Sequence, residues 1–152
     1  MHFIYNKTLT ILNKLKASDT LSKQDLWFKH VILNGAWYIT NESSVSGTTV
    51  NISSKITILI PNSEMYLQYN DWKIDTNQLK YFTMSNGDYI VNGELDEEIN
   101  SQTITKILSK YEPNVCSVKS INALPKRGIE NVMLKIEGVW YDFWFTRLQL
   151  HG

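Results

Sequence analysis

Apolar and polar residues alternate with a period of two along most of this chain, and that pattern predicts strands. In "KTLTILNKL", Leu9 and Ile11 fall on one face and Thr8 and Thr10 on the other, as in a half-buried strand. The polar "KASDTLSKQD" that follows is a loop. "LWFKHVIL" and "GAWYIT" are the next strand segments, separated by Asn34-Gly35, a pair that tolerates positive φ and suits a tight turn or a bulge. Glu42 to Ser54 is rich in Ser and Thr around one glycine, the composition of an exposed loop or hairpin tip that has little to bury. "KITILI" places Ile56, Ile58 and Ile60 on one face, and Pro61 ends it because proline cannot extend a ladder.

Residues 62 to 80 are less periodic and read as a crossing loop with a short turn. "YFTMS" and "YIVNG", on either side of Asn86-Gly87-Asp88, read as a hairpin. One helix is expected, over about residues 101–111: Ile104, Ile107, Leu108 and Tyr111 fall at i, i+3, i+4 and i+7, Asn100 or Ser101 can cap the start, and Pro113 limits the end. "VCSVKSI" and "NVMLKI" are two further strands, joined by the loop "NALPKRGIE". Residues 139 to 152 read as a final strand or arm. The sum is seven to eight strands around one short helix, with neither an internal repeat nor a βαβ rhythm, which predicts a small, mainly antiparallel β-barrel or sandwich.

Composition supports a single packed domain. The chain has 152 residues, 43 % apolar and 20 % charged, far from the regime of disorder. Fifteen basic residues balance fifteen acidic ones. There is no long-range basic field to collect phosphates, so specific nucleic-acid binding is not expected, and no net repulsion opposes self-association. The single Cys116 has no internal disulfide partner and lies in an alternating run, so a buried thiol in a reducing, intracellular setting is expected. No apolar stretch approaches a membrane span, and "MHFIYNKTLTIL" lacks a basic n-region and a small-residue cleavage site, so neither secretion nor membrane insertion is expected.

The search for chemistry points away from catalysis. His2, His30 and His151 stand far apart, outside any HxxxH, HExxH or CxxC frame, and His30 in "WFKHVIL" reads as a satisfied strand histidine. No catalytic residue, metal site or cofactor is expected. Four acids, Glu94, Asp96, Glu97 and Glu98, follow Gly93 within five positions. They read as a solvated turn between strand and helix, as a carboxylate site, or as a surface that pairs with a basic partner. Of the five tryptophans, most are expected in the core. The run after Gly138 differs: Val139, Tyr141, Phe143 and Phe145 fall on one face and Trp140 and Trp144 on the other. A strand apolar on both faces has to be sandwiched, by its own fold or by a neighbouring chain.

Taken in order, "KHVILNGAWY", a Gly- and Ser-rich segment, "KITILIP", "YFTMSNGDYIVNGE", a short amphipathic helix, and "VCSVKSINALPKRG" before "MLKIEG" resemble a family of small head-tail joining proteins of tailed bacteriophages. The resemblance covers roughly residues 2 to 138. Its clearest signals are Val31-Ile32 with Gly35 and Trp37, Ile60-Pro61, and Gly87-Asp88 with Ile90-Val91 and Gly93. The chain departs from the pattern after Ile121, where Asn122 and then Lys126-Arg127 replace an Asp-Asn-Arg-like run, and its aromatic tail extends past the usual end.

The resemblance implies a structural virion protein: a head-completion or stopper ring of the phage neck that closes the portal channel and joins head to tail. It implies residence in the virion after synthesis in the host cytoplasm, and a homo-hexamer between the portal-adaptor ring and the tail terminator ring. Double-stranded DNA would pass the lumen without sequence-specific binding. On this reading residues 1–138 form the joining domain with a projecting loop at 42–54, and residues 139–152 form an arm. Trp140, Tyr141, Phe143, Trp144 and Phe145 are then expected at an interface, and a chain lacking 139–152 is expected to fold normally. Glu94, Asp96, Glu97 and Glu98 would face the lumen or a neighbour's basic patch. Ser43, Ser44, Ser46, Gly47, Thr48 and Thr49 are the expected mobile gate. The alternatives are a tail terminator ring, expected to follow more of an α+β pattern, and a carbohydrate- or ligand-binding β module.

Overall fold

The computed structural model describes residues 5–61, 64–74, 78–123 and 132–141. Six strands close an antiparallel barrel: β1 (Lys7–Leu15), β2 (Leu26–Ser46), β3 (Thr49–Pro61), β4 (Tyr89–Asn92), β5 (Val115–Ala123) and β6 (Val132–Trp140). Around the barrel they run β1, β2, β3, β6, β5, β4 and back to β1. Two three-stranded meanders, β1-β2-β3 and β4-β5-β6, are thus joined along both edges, so the body has no free sheet edge. An isolated parallel bridge between Tyr66 and Phe82 adds two single-residue strand pieces. The small antiparallel barrel with one short helix is therefore the fold.

The barrel interior is filled by Leu9, Ile11, Ile56, Ile58, Ile60, Ile90, Val118, Leu134 and Ile136, all fully buried. At roughly 1.5–3 kcal/mol for each large apolar side chain removed from water, this set dominates the stability of the fold. The alternation in β1 correctly placed Leu9 and Ile11 inside, but its other face is not solvated. There α2 (Ile104–Tyr111) lies on the outer wall and packs Ile104, Ile107 and Leu108 against Leu12, Val91, Leu95 and Val115, forming a second core. Thr10, on the same face, is completely buried. Its hydroxyl donates to the Gly93 carbonyl at 2.7 Å and accepts from the Leu95 amide at 3.1 Å, so the buried Thr10 hydroxyl is matched.

β2 is a single bent strand. Its first part pairs with β1 as far as Gly35, and from Ala36 onward it pairs with β3. Asn34 takes φ 62°, and the register with β1 shifts between Lys7 and Leu9. A Cβ on Gly35 would stand 2.5 Å from Leu9 Cδ1, so the bend needs glycine for close approach. The same demand recurs at Gly138 in β6, where a Cβ would meet the Ser117 carbonyl at 2.3 Å.

The segment between β3 and β4 crosses the molecule and carries a one-turn helix, α1 (Tyr69–Trp72). It contributes Trp72, Phe82 and Met84 to the interior. Trp72 Nε1 donates to the Tyr81 carbonyl at 3.1 Å, and the Trp72 ring meets Phe28 edge-on with centroids 5.7 Å apart. The hairpin expected of "YFTMS" and "YIVNG" does not form. Phe82 bridges to Tyr66 instead, and β4 is flanked by β1 and β5, which leaves no open edge for 81–85.

Candidate functional site

One exposed feature is an arm. Pairing of β3 with β6 stops at Ile56 and Gly138, whereas the β2–β3 ladder continues from Thr40 and Lys55 out to Ser46 and Thr49. The expected loop at 42–54 is thus a regular two-stranded ribbon. Its turn is Gly47-Thr48, with Gly47 alone at positive φ (63°), as a type II′ hairpin turn requires. Ser43 pairs with Ile52, Ser44 with Asn51, and Ser46 with Thr49. Val45 and Val50 form the last apolar pair before the turn and are 71 % and 60 % exposed. They continue, past the barrel, the face on which Ile39 pairs with Ile56. Sequence reasoning named the serines and threonines of the arm and missed these valines, although their spacing from Gly47 was visible.

At the other end of β2 lies a groove of about 400 Å³. Leu26, Trp27 and Phe28 form one wall, and Ile99 with the Asn100–Gln102 turn forms the other. The turn is held by Asn100 Oδ1, which accepts from the amides of Gln102 (2.9 Å) and Thr103 (3.0 Å), and Ser101 Oγ donates to the Asp25 carbonyl. Asn100 thus holds the turn that leads into α2, whereas the helix itself is flanked by Thr103, which makes no side-chain capping bond, so neither Asn100 nor Ser101 is its cap. Trp27 is fixed by stacking on Tyr89, with centroids 5.6 Å apart.

The four acids do not form one surface. Glu94, Asp96 and Glu98 are exposed, but Glu97 accepts from Tyr111 Oη at 2.8 Å and from Lys110 Nζ at 3.0 Å. These partners hold its carboxyl below the usual range and raise both of theirs. Lys29 Nζ donates to the carbonyls of Leu95 (3.0 Å) and Glu97 (3.2 Å), tying the segment to β2. Leu95, set among the acids, is the buried pin.

Of the aromatic tail, Trp140 and Tyr141 are described and both face their own subunit. Trp140 packs against the barrel core near Trp37, and Tyr141 is 7 % exposed in the helix-side core, edge-on to Tyr89 at 5.6 Å. Tyr141, expected at an interface, is thus buried within its own fold, while Trp140 is half-buried against the barrel. Phe143, Trp144 and Phe145 lie outside the described residues.

One polar cluster went unforeseen. Asp88, 1 % exposed, accepts from the Lys14 amide (3.0 Å), the Ser85 amide (2.9 Å) and Asn13 Nδ2 (3.0 Å). Asn13 also exchanges bonds with the backbone of Thr83, donating to its carbonyl at 2.7 Å and accepting from its amide at 3.2 Å. Burial nevertheless pushes the Asp88 carboxyl up to about 6. The cluster bolts the crossing segment to β1. His30 lies against Phe82 at 4.9 Å with its pKa lowered by burial, as a strand histidine should, and the buried Cys116 thiol is pushed up to about 12. Among the described residues no three His, Cys, Asp or Glu side chains gather as a metal-binding group, and no helix is long and apolar enough to cross a membrane.

Residues 4–139 match the Family of unknown function (DUF6751). No curated protein and no solved structure matches the chain. The match runs from before β1 to the penultimate residue of β6 and so takes in all six barrel strands and both helices. The chain belongs to the DUF6751 family of unknown function.

Proposed function

We propose that the protein is a structural subunit of the tailed-phage neck, a stopper ring that closes the portal channel and joins the DNA-filled head to the tail. The observation that carries this reading is the closed barrel from which the β2–β3 ribbon runs on beyond the last barrel pairing. A ring subunit needs a rigid body without sticky sheet edges and an element long enough to reach a neighbour or the channel axis. The ordered motifs between residues 2 and 138 point the same way. A single eight-residue helix on a β-barrel favours the stopper over the tail terminator, for which more of an α+β pattern is expected.

On this reading the chain forms a homo-hexamer between the portal-adaptor and tail terminator rings, and double-stranded DNA passes through its lumen. The arm residues Ser43, Ser44, Ser46, Gly47, Thr48 and Thr49 form the channel-side gate. Glu94, Asp96 and Glu98 repel phosphate or meet a basic neighbour, while Glu97 serves its own helix. Cryo-electron microscopy of assembled particles tests the reading. It expects sixfold density for this barrel directly beneath the portal and adaptor, and a different copy number there, or density only below the tail terminator, would sink it.

A further inference from the structure

The groove at the start of β2 is the open margin of the helix-side core. Trp27 and Ile99, which stand on its two walls, pack against the same cluster that buries Tyr141. Tyr141 meets Tyr89 edge-on at 5.6 Å, and Tyr89 stacks on Trp27 at 5.6 Å, so the Trp27 ring lies within about 11 Å of the ring at which the described chain ends. We propose that residues 143–150 of the same chain lie along this groove, with Phe143 and Phe145 seated against Leu26, Trp27, Phe28 and Ile99. The contact is internal to one copy and does not depend on the ring reading.

Reach, pattern and charge select this occupant. Extended chain advances about 3.3 Å per residue, so the stretch from Asp142 to Phe145 is long enough to pass from Tyr141 to the groove. With a period of two, Phe143, Phe145 and Arg147 fall on the side that Tyr141 turns into the helix-side core. A groove of about 400 Å³ has the size of a small-ligand site, which takes two phenyl rings and leaves the rest of the segment along the rim. Asp25 is the one ionisable residue lining the groove. One of its carboxylate oxygens accepts the Ala17 amide at 2.8 Å, and its negative charge is the counterpart of Arg147, the one ionisable side chain in 143–150. A segment tethered a few residues away also acts at roughly millimolar effective concentration, which a second copy or a free ligand has to match.

Thiol labelling of the full chain tests this. Gln102→Cys puts an exposed thiol on the groove rim, while the native Cys116 thiol is buried and stays silent. Adding Phe143→Ser with Phe145→Ser should speed maleimide labelling of the rim thiol at least about tenfold, and adding Arg147→Glu instead should speed it about threefold. Circular dichroism checks the barrel in each chain. Arg147→Glu keeps every apolar side chain and so carries the test should the serine pair disturb folding. The protection should be the same at every chain concentration from micromolar to millimolar. Protection that grows with concentration assigns the groove to a second copy's segment and overturns the proposal, as does a labelling rate unchanged in either folded variant.

Discussion

Asp88 is held by opposing forces that can be weighed. Three N–H donors favour its charged form, and desolvation opposes it, with a net displacement of the carboxyl from 3.8 to about 6. A carboxyl raised in the folded state binds more protons there than in the unfolded chain between those two values. Its contribution to stability is thus full below about pH 4 and is lost as pH rises through 6, worth about 3 kcal/mol at 1.36 kcal/mol per pH unit. Asp19 and Glu97 have lowered pKa values and act in the opposite direction, so the total pH curve mixes signs. Comparison with Asp88→Asn isolates the one group. Urea unfolding should show the wild-type advantage over the variant shrinking from pH 4 to pH 6.5. An advantage that instead grows over this interval would mean that the three donors outweigh burial.

At the scale of elements, long-range packing decided what local pattern could not. Helix α2 was legible because Ile104, Ile107, Leu108 and Tyr111 share one stripe, and the barrel was legible because Ile56, Ile58 and Ile60 alternate cleanly. Asn34-Gly35 reads alike as turn or bulge, and the choice is made by Leu9, which occupies the space a Cβ would need. Thr10 reads as solvent-facing because its burial depends on Gly93 and Leu95, more than eighty residues away. Asp88 was hidden for the same reason, since Asn13 is its distant partner. The valines of the arm were masked by the serines and threonines around them. The tail is the sharpest revision. Val139 and Trp140 continue the β6 ladder opposite Ser117 and Cys116, and the Tyr141 amide donates to the Val115 carbonyl at 3.0 Å. Removal from residue 139 onward therefore cuts into the barrel, contrary to the reading of a dispensable arm. A chain ending at Gly138 should melt roughly 10 °C below one ending at Tyr141 by calorimetry, from lost burial of Trp140 and Tyr141 at ~1.5–3 kcal/mol each. Equal melting temperatures would return both residues to an interface role.

At the scale of the whole molecule, charge and exposed apolar area make opposite predictions for the proposed ring. Fifteen cations against fifteen anions leave no net repulsion between copies. On the proposed ring reading, copies are held together either by apolar contact through the exposed Val45 and Val50 of the arm or by the acids after Gly93 against a neighbour's lysines. Salt separates these. Exposed charge pairs are screened within about 8 Å at physiological ionic strength and about 3 Å at 1 M, whereas apolar burial is insensitive to screening and gains slightly from added salt. With Val45 and Val50 as the contact, the dissociation constant measured by sedimentation should change by less than about threefold between roughly 0.05 M and 0.5 M sodium chloride. A loss of affinity of tenfold or more over that range would assign the contact to Glu94, Asp96 and Glu98. The arm would then be left free to reach the channel axis.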